Sequence, residues 1–247
     1  MKKRGRADFL SRNPFEAPYT LGFFYREKMR AIHRVAPESD VADALEVGGG
    51  RSGLTHLLYP EARVTNLDLD PEFSTAPCNQ EAGVTFVAGD ATDLEFADAS
   101  FDLVTMFDLL EHVPDDRRAV REAFRVLKPG GALLVSTPHT SWRYPYFGVL
   151  APICPPESEL FEDWGHVRRG YSLPDLEHLM GRSAEDHAAF ISPVTALCHD
   201  LAFSRLPKIV KRTLCTAISP ITWVGYWLHN PKGRGTETAT RWRKPTG

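Results

Sequence analysis

The run Ala44-Leu45-Glu46-Val47-Gly48-Gly49-Gly50-Arg51-Ser52-Gly53 places glycines between an apolar, β-rich stretch and a helical one. There the chain must turn tightly and can let a ligand approach its backbone. Gly48, Gly50 and Gly53 spell G-x-G-x-x-G, and Asp68 stands at about the 20-residue offset at which an acid meets a ribose in dinucleotide folds. The chemistry this pattern suits is the binding of an adenosine-bearing ligand, but a lone match does not say which one. The plain alternatives are a helix cap for Asp68 and a turn residue for Asp90, after Gly89. Glu111 and His112 follow the fourth β-rich run, on the side of an open α/β sheet where ligands bind. His139 lies just past the fifth run, and Asp163, His166, Arg168 and Tyr171 sit in Glu162-Asp163-Trp164-Gly165-His166-Val167-Arg168-Arg169-Gly170-Tyr171. Histidine is the commonest side chain for taking a proton near neutral pH. A loop histidine bonded to backbone is the plain alternative for His166, and a residue that holds its loop or caps the next helix is that for His112.

These residues need elements to hold them. Runs at 42–47, 63–68, 84–88, 101–107 and 132–137 read as strands, with helices over 52–59 and 115–127, the alternation of a parallel sheet covered by helices. Pro129-Gly130-Gly131 stops the second of these helices. Ahead of this core, residues 21–35 carry apolar side chains at helical spacing and predict a cap helix. Beyond it, 137–156 is Pro- and aromatic-rich, the composition of a lid or substrate wall. A helix over 173–180 is opened by Ser172 and Pro174. A strand follows near 187–191. Residues 201–228 form an apolar insertion interrupted by Pro207 and Pro220, and 236–242 alternates as a final edge strand should. The division expected is an N-terminal cap region, 1–40, and one domain, 41–247, with insertions at about 138–172 and 201–230.

Composition narrows the class. Of 247 residues, 43% are apolar and 25% charged, ordinary for a globular chain. With 29 Lys and Arg against 32 Asp and Glu the net charge is -3, which gives no basic field to draw in nucleic acid. Cys78, Cys154, Cys198 and Cys215 form no C-x-x-C pair and have no histidine at ligand spacing, so neither zinc nor a disulfide framework is expected. Reduced thiols suit a cytoplasmic setting, and the polar start of the chain does not read as a signal peptide. Residues 214–228, flanked by Lys208, Lys211 and Arg212, suggest contact with a membrane surface through 208–228, the stretch being too short and interrupted to span one.

Taken in order, Glu46 before the glycines, Asn66-Leu67-Asp68-Leu69-Asp70, Ala88-Gly89-Asp90-Ala91, Phe101-Asp102-Leu103-Val104 leading to Leu110-Glu111-His112-Val113-Pro114-Asp115, and Val126-Leu127-Lys128-Pro129-Gly130-Gly131 make a series. It resembles the class I S-adenosylmethionine-dependent methyltransferases, particularly the branch with ubiquinone-, menaquinone-type and small-molecule enzymes. The resemblance covers 42–137 well and 165–180 loosely, and departs from the family at Ser52, where a glycine is usual. It implies an α/β, Rossmann-like fold: a mostly parallel seven-stranded sheet with an antiparallel last strand, helices on both faces, and cap and insertion segments. It also implies S-adenosylmethionine as cofactor and S-adenosylhomocysteine as product. Asp68 would accept from both ribose hydroxyls, with Leu69 beside it; Asp90 would accept from the adenine amine while Ala91 offers its N–H to the ring. Gly48 and Gly50 would pass under the methionine tail, Glu46 would brace the loop or reach the ligand's amine through water, and Phe107 would contact the donor by its carbonyl. His166, in a run resembling the Gly-His-Val-Arg pattern near acceptor pockets, is the first candidate for general base, ahead of His139 and His112. No metal is demanded by such a transfer. Trp142, Tyr144, Tyr146 and Phe147, with Phe23, Phe24 and Tyr25, suggest an aromatic acceptor pocket, and the acceptor is expected to be an aromatic, quinone-like, sugar or lipid-like small molecule methylated on oxygen. A monomer or homodimer is compatible with all of this. Two other readings remain open at this point: an NAD-dependent oxidoreductase on the same glycine loop, and a binding module that keeps the donor pocket without turnover.

Overall fold

A computed structural model describes residues 2–15, 22–233 and 235–246. Helices α1 (Arg6–Ser11) and α2 (Gly22–Val35) precede strand β1 (Asp43–Val47) and helix α3 (Leu54–Leu58). Strands β2 (Arg63–Asp68), β3 (Val84–Ala88) and β4 (Phe101–Phe107) follow, then α4 (Asp116–Val126) and β5 (Leu127–Pro138). The remainder is α5 (Glu157–Trp164), α6 (Leu173–Met180), β6 (Asp186–Phe190), α7 (Pro193–Phe203), α8 (Lys208–Leu228) and β7 (Glu237–Arg243). Of the expected front helix, Leu21 lies outside the described residues.

One seven-stranded sheet runs in the order β3-β2-β1-β4-β5-β7-β6, with β7 antiparallel to both β5 and β6 and the β3-to-β5 pairs parallel. The central strands are buried on both faces, as a parallel sheet demands. Successive residues part to opposite sides: Ala44, Leu103 and Leu134 join Leu54, Leu58, Met29 and Ile32 in one core layer. Leu45, Val104 and Leu133 join Val120, Ala123, Leu176 and Trp242 in the other. Phe9 of α1 and Val35 of α2 belong to the first layer. The N-terminal region therefore shares the domain's core.

Local chemistry explains most boundaries. Asp115 caps α4 by accepting the Arg118 N–H at 3.0 Å. Ser172 and Asp175 form a capping box on α6, which ends at Gly181 in the left-handed conformation. Three expectations change. The final strand is not at an edge: β7 is inserted between β5 and β6, and its burial on both faces leaves the edge to β6. Pro220 does not interrupt the second insertion, since α8 continues through it. The missing N–H leaves only a carbonyl one turn back, at Thr216, where the helix is exposed and water can satisfy it. Helix α3 starts after Gly53, whose left-handed backbone makes the turn, and not at residue 52 as expected.

Candidate active site

The strand order reverses direction between β1 and β4, so the connections leaving their carboxyl ends part there and open a crevice. The glycine loop leaves β1 on one side, and 108–112 leaves β4 on the other. Gly48 (φ +71°) and Gly50 (φ +48°) hold backbone conformations that L-residues avoid. At Gly48 a Cβ would also lie 2.5 Å from Leu109 Cδ1. Glu46 is buried beneath the loop, where Oε1 accepts from the Ser52 hydroxyl at 3.0 Å and Oε2 from the Thr55 N–H at 3.2 Å. Burial raises its pKa against those bonds. Its carboxyl group braces the loop, the first of its two expected jobs.

Asp68 ends β2 half-exposed, its Oδ2 accepting the Gly50 N–H at 2.9 Å and its Oδ1 the Asp70 N–H at 3.2 Å. A carboxylate has about four lone-pair sites, so each oxygen keeps one for a ligand hydroxyl. Asp68 pairs with Ala88 on β3, which sets Asp90 on the neighbouring strand end. Asp90 is exposed and closes a turn by accepting the Thr92 N–H at 2.7 Å through one oxygen, leaving the other open. Leu69 is 76% exposed beside the crevice, and Ala91 is half-buried. Phe107 packs into the core and also lines a cavity of about 280 Å³ between the glycine loop, Ser52, Phe15, Tyr25, Lys28 and Asp108. An adenosine with an amino-acid tail needs a cradle free of side chains, a carboxylate for a sugar diol and an adjoining slot for the tail. Gly50 (where a Cβ would meet nothing closer than 3.5 Å), Asp68 and this cavity fit those needs.

A second cavity, of about 330 Å³, lies beyond Asp108. Its apolar wall is Phe24, Tyr25, Trp142, Trp164 and Phe203; its polar groups are Asp108, Glu111, Glu237 and the histidines 112, 166 and 199. Asp108 is held at φ 50°, a strained setting for a residue that is not glycine. Its carboxylate accepts from Lys28 Nζ at 2.6 Å and from the Ser136 hydroxyl at 2.7 Å. Burial opposes charge on Lys28, but Asp108 outweighs it and holds the amine above its ordinary pKa. Glu111 is pushed up to about 8 by burial and by the charge of Asp108. Glu237 is raised well above the carboxylate range by burial and by both acids. Glu111 Oε1 and Glu237 Oε2 are buried and unpartnered among the described residues.

The structure brings two of the three histidine candidates together. His112 and His166 meet edge to face with centroids 4.7 Å apart, and His112 Nδ1 is 3.2 Å from the Gly165 carbonyl. His166 is lowered to about 4 by burial and by His112, so it is neutral at pH 7. Its Nδ1 is buried with no partner among the described residues. Donor atoms of Glu111, His112 and His166 all lie within 4.8 Å of one another, closer than the expectation of no metal anticipated. His139 is elsewhere: it bonds Ser141 at 2.7 Å and lines a separate cavity with Leu173 and His187. Arg168 and Tyr171 hold the 110–116 loop, Arg168 donating to the Leu110 and Val113 carbonyls at 2.6 Å and Tyr171 to Asp116 at 2.6 Å. Asp163 is exposed. Of the aromatics expected here, Phe24, Tyr25 and Trp142 line the cavity, while Phe23 and Tyr144 pack behind it.

Sequence reasoning missed Lys28, His199 and Glu237, and passed over Asp108. The available signals were a lysine on the apolar face of a front helix and a second acid in Asp108-Leu109-Leu110-Glu111-His112. His199 and Glu237 carry none, because only the fold brings them within reach.

Comparison with known proteins agrees with this arrangement. Residues 45–135 match a family model described as a methyltransferase domain. The part of the chain that forms the crevice is thus similar to a methyltransferase domain. It is 36% identical over 126 residues to the chloroplastic 2-methyl-6-phytyl-1,4-hydroquinone methyltransferase 2 of Oryza sativa, covering 48% of this chain and 36% of that one. It is 39% identical over 115 residues to the phthiotriol/phenolphthiotriol dimycocerosates methyltransferase of Mycobacterium tuberculosis, covering 43% and 42%. The matched stretch spans less than half of either relative. The fold is shared with phosphoethanolamine N-methyltransferase 2 of Haemonchus contortus, solved with S-adenosyl-L-methionine, at a TM-score of 0.57 and 17% identity over 98% of this chain and 60% of that one.

Proposed function

We propose that the chain binds S-adenosylmethionine in the glycine-loop crevice and methylates an oxygen of a small, apolar, ring-bearing acceptor held in the aromatic cavity. One observation carries the reading: the two cavities adjoin, with Tyr25 and Asp108 lining both. A group seated in one lies against a group seated in the other, the placement that in-line transfer requires. When bound, S-adenosylmethionine supplies an electrophilic methyl carbon on a sulfonium. Asp68 and Asp90 hold its nucleoside, Gly48 and Gly50 admit its tail, and the aromatic wall orients the acceptor and excludes water. His166, neutral and with a free ring nitrogen, takes the acceptor's proton.

Charge balance supports an oxygen acceptor over an ammonium. Asp108 is matched by Lys28, Glu111 and Glu237 favour their protonated forms, and burial keeps His166 and His199 neutral. That leaves no unmatched carboxylate among these groups to bind a cation. The two relatives are named for a phytyl hydroquinone and for phthiotriol lipids, which supports an apolar acceptor bearing hydroxyl groups. Four free cysteines fit a cytoplasmic setting.

Calorimetry with S-adenosylmethionine, S-adenosylhomocysteine and NAD, followed by a labelled-methyl screen of phenols, hydroquinones, sugars, lipids and amines, tests this reading. Binding of the first two ligands and label on a phenol or hydroquinone oxygen are expected. Binding of NAD alone would return the chain to the oxidoreductases; donor binding with no labelled product would make it a binding module.

A further inference from the structure

Twelve large apolar side chains are exposed among the described residues, and eight of them stand on α8. Ile221 and Val224 are each 56% exposed, Ile209 75%, Trp227 76% and Leu228 79%. The helix is not loose. Cys215, Thr222 and Tyr226 are buried on its inner side, and the Arg26 guanidinium of α2 lies 4.0 Å from the Trp223 ring and 4.5 Å from that of Tyr226. The apolar side is thus held outward by a rigid seat.

Its charge is one-sided. Lys208, Lys211 and Arg212 fall within the first five residues, and residues 208–228 contain no Asp or Glu. Lys211 turns inward to donate to the Ala202 carbonyl at 3.0 Å, while Lys208 is exposed. A cation at a helix N-terminus opposes the helix dipole, so Lys208 holds a place that an anionic surface would relieve. Among the described residues no helix is long and apolar enough to cross a membrane.

We propose that α8 beds in the plane of an anionic lipid surface, with Trp227 and Leu228 in the acyl boundary and its basic first turn on the headgroups. A second copy of the chain is a poorer occupant: a two-fold contact presents the same patch twice, and sets cations against cations wherever the basic turns approach. Helix α8 packs on α7, which contributes His199 and Phe203 to the acceptor cavity. Docking would hold that wall at the lipid boundary. The docking stands on α8 alone; that it delivers an acceptor rests on the methyl-transfer reading.

Co-sedimentation of the full chain with phosphatidylcholine vesicles, with and without phosphatidylglycerol, at low salt tests this. Pelleting with the anionic vesicles is expected. Trp227→Glu with Leu228→Glu should weaken it at least about tenfold, and Lys208→Gln about fivefold. Donor binding, measured by calorimetry on the same variants, should not change, which separates lost docking from a lost fold or an error in the methyl-transfer reading. The proposal is overturned if neither vesicle pellets the chain, if neutral vesicles bind it equally, or if the chain is a dimer in solution that Trp227→Glu dissociates.

Discussion

The two halves of the crevice are built on opposite plans. The donor side is backbone and strand ends: glycines at positive φ, a carboxylate at the tip of β2, and an acid beneath the loop bonded to Ser52 and Thr55. Glu46 is buried, but Asp68 is half-exposed and Asp90 exposed, and the loop and its three acids come from one stretch, 46–91. The acceptor side is made of side chains from α2, α7, β7, the 108–112 loop and the 138–166 segment, and it buries Lys28, Glu111 and Glu237 among its titratable groups. Strand ends position groups with the rigidity of the sheet, so the donor side needs little support around each residue. The acceptor side must neutralise what it buries, which is why Lys28 meets Asp108 and two acids favour protonation. Shape and hydrogen-bond geometry dominate one side; desolvation dominates the other.

If the acceptor side carries the proton transfer, His166→Ala should lower kcat by about 10²- to 10⁴-fold while donor affinity, read by calorimetry, stays unchanged. Equal losses in both would dissolve the division between the halves. Lys28→Met breaks the pair at their junction. Lys28 is almost fully buried while Asp108 is partly open, with side-chain exposures of 4% and 28%. The loss therefore belongs at the lower end for a broken buried pair, about 3 kcal/mol of unfolding free energy by urea titration. Asp68→Ala should act only on the donor side, raising the donor dissociation constant about 10- to 100-fold and sparing kcat at saturating donor. A fall in kcat with unchanged affinity would remove Asp68 from donor binding.

The same contrast explains what could be read in advance. Strands β2, β3 and β4 fall where the β-rich runs predicted, and α6 matches from end to end, because alternation, Ser172 with Asp175, and Gly181 are local signals. The proposed donor side can be read from sequence for the same reason: a carboxylate at a strand end is marked by the strand. The acceptor side cannot. Glu237 was assigned to an edge strand, and its burial follows from β7 pairing on both sides. Lys28 looked like one more polar residue on a cap helix until Asp108 was found across from it. Pro220 reads as a break unless the exposure of the preceding turn is known.

Glu111 gives the finest test of the idea that desolvation rules the acceptor side. Its pKa rises on folding from 4.5 to about 8, so between those values the folded chain holds a proton that the unfolded chain releases. Stability from this group is full at low pH and declines as pH rises through that window, at up to about 1.4 kcal/mol per pH unit. Glu237 acts in the same direction. His166 and His199 act in the opposite one: lowered from 6.5 to about 4, they remove stability as pH falls below 6.5. Between 4.5 and 6.5 the two pairs oppose each other, and above 6.5 only the acids remain. Urea midpoints taken from pH 6.5 to 8 should therefore decline in the unmodified chain and decline less in Glu111→Gln, which keeps an acceptor for the Thr137 hydroxyl that bonds the glutamate at 3.2 Å. Parallel declines in the two proteins would mean that Glu111 is already ionised in the fold, and that Lys28, rather than burial, sets the charge of the cavity.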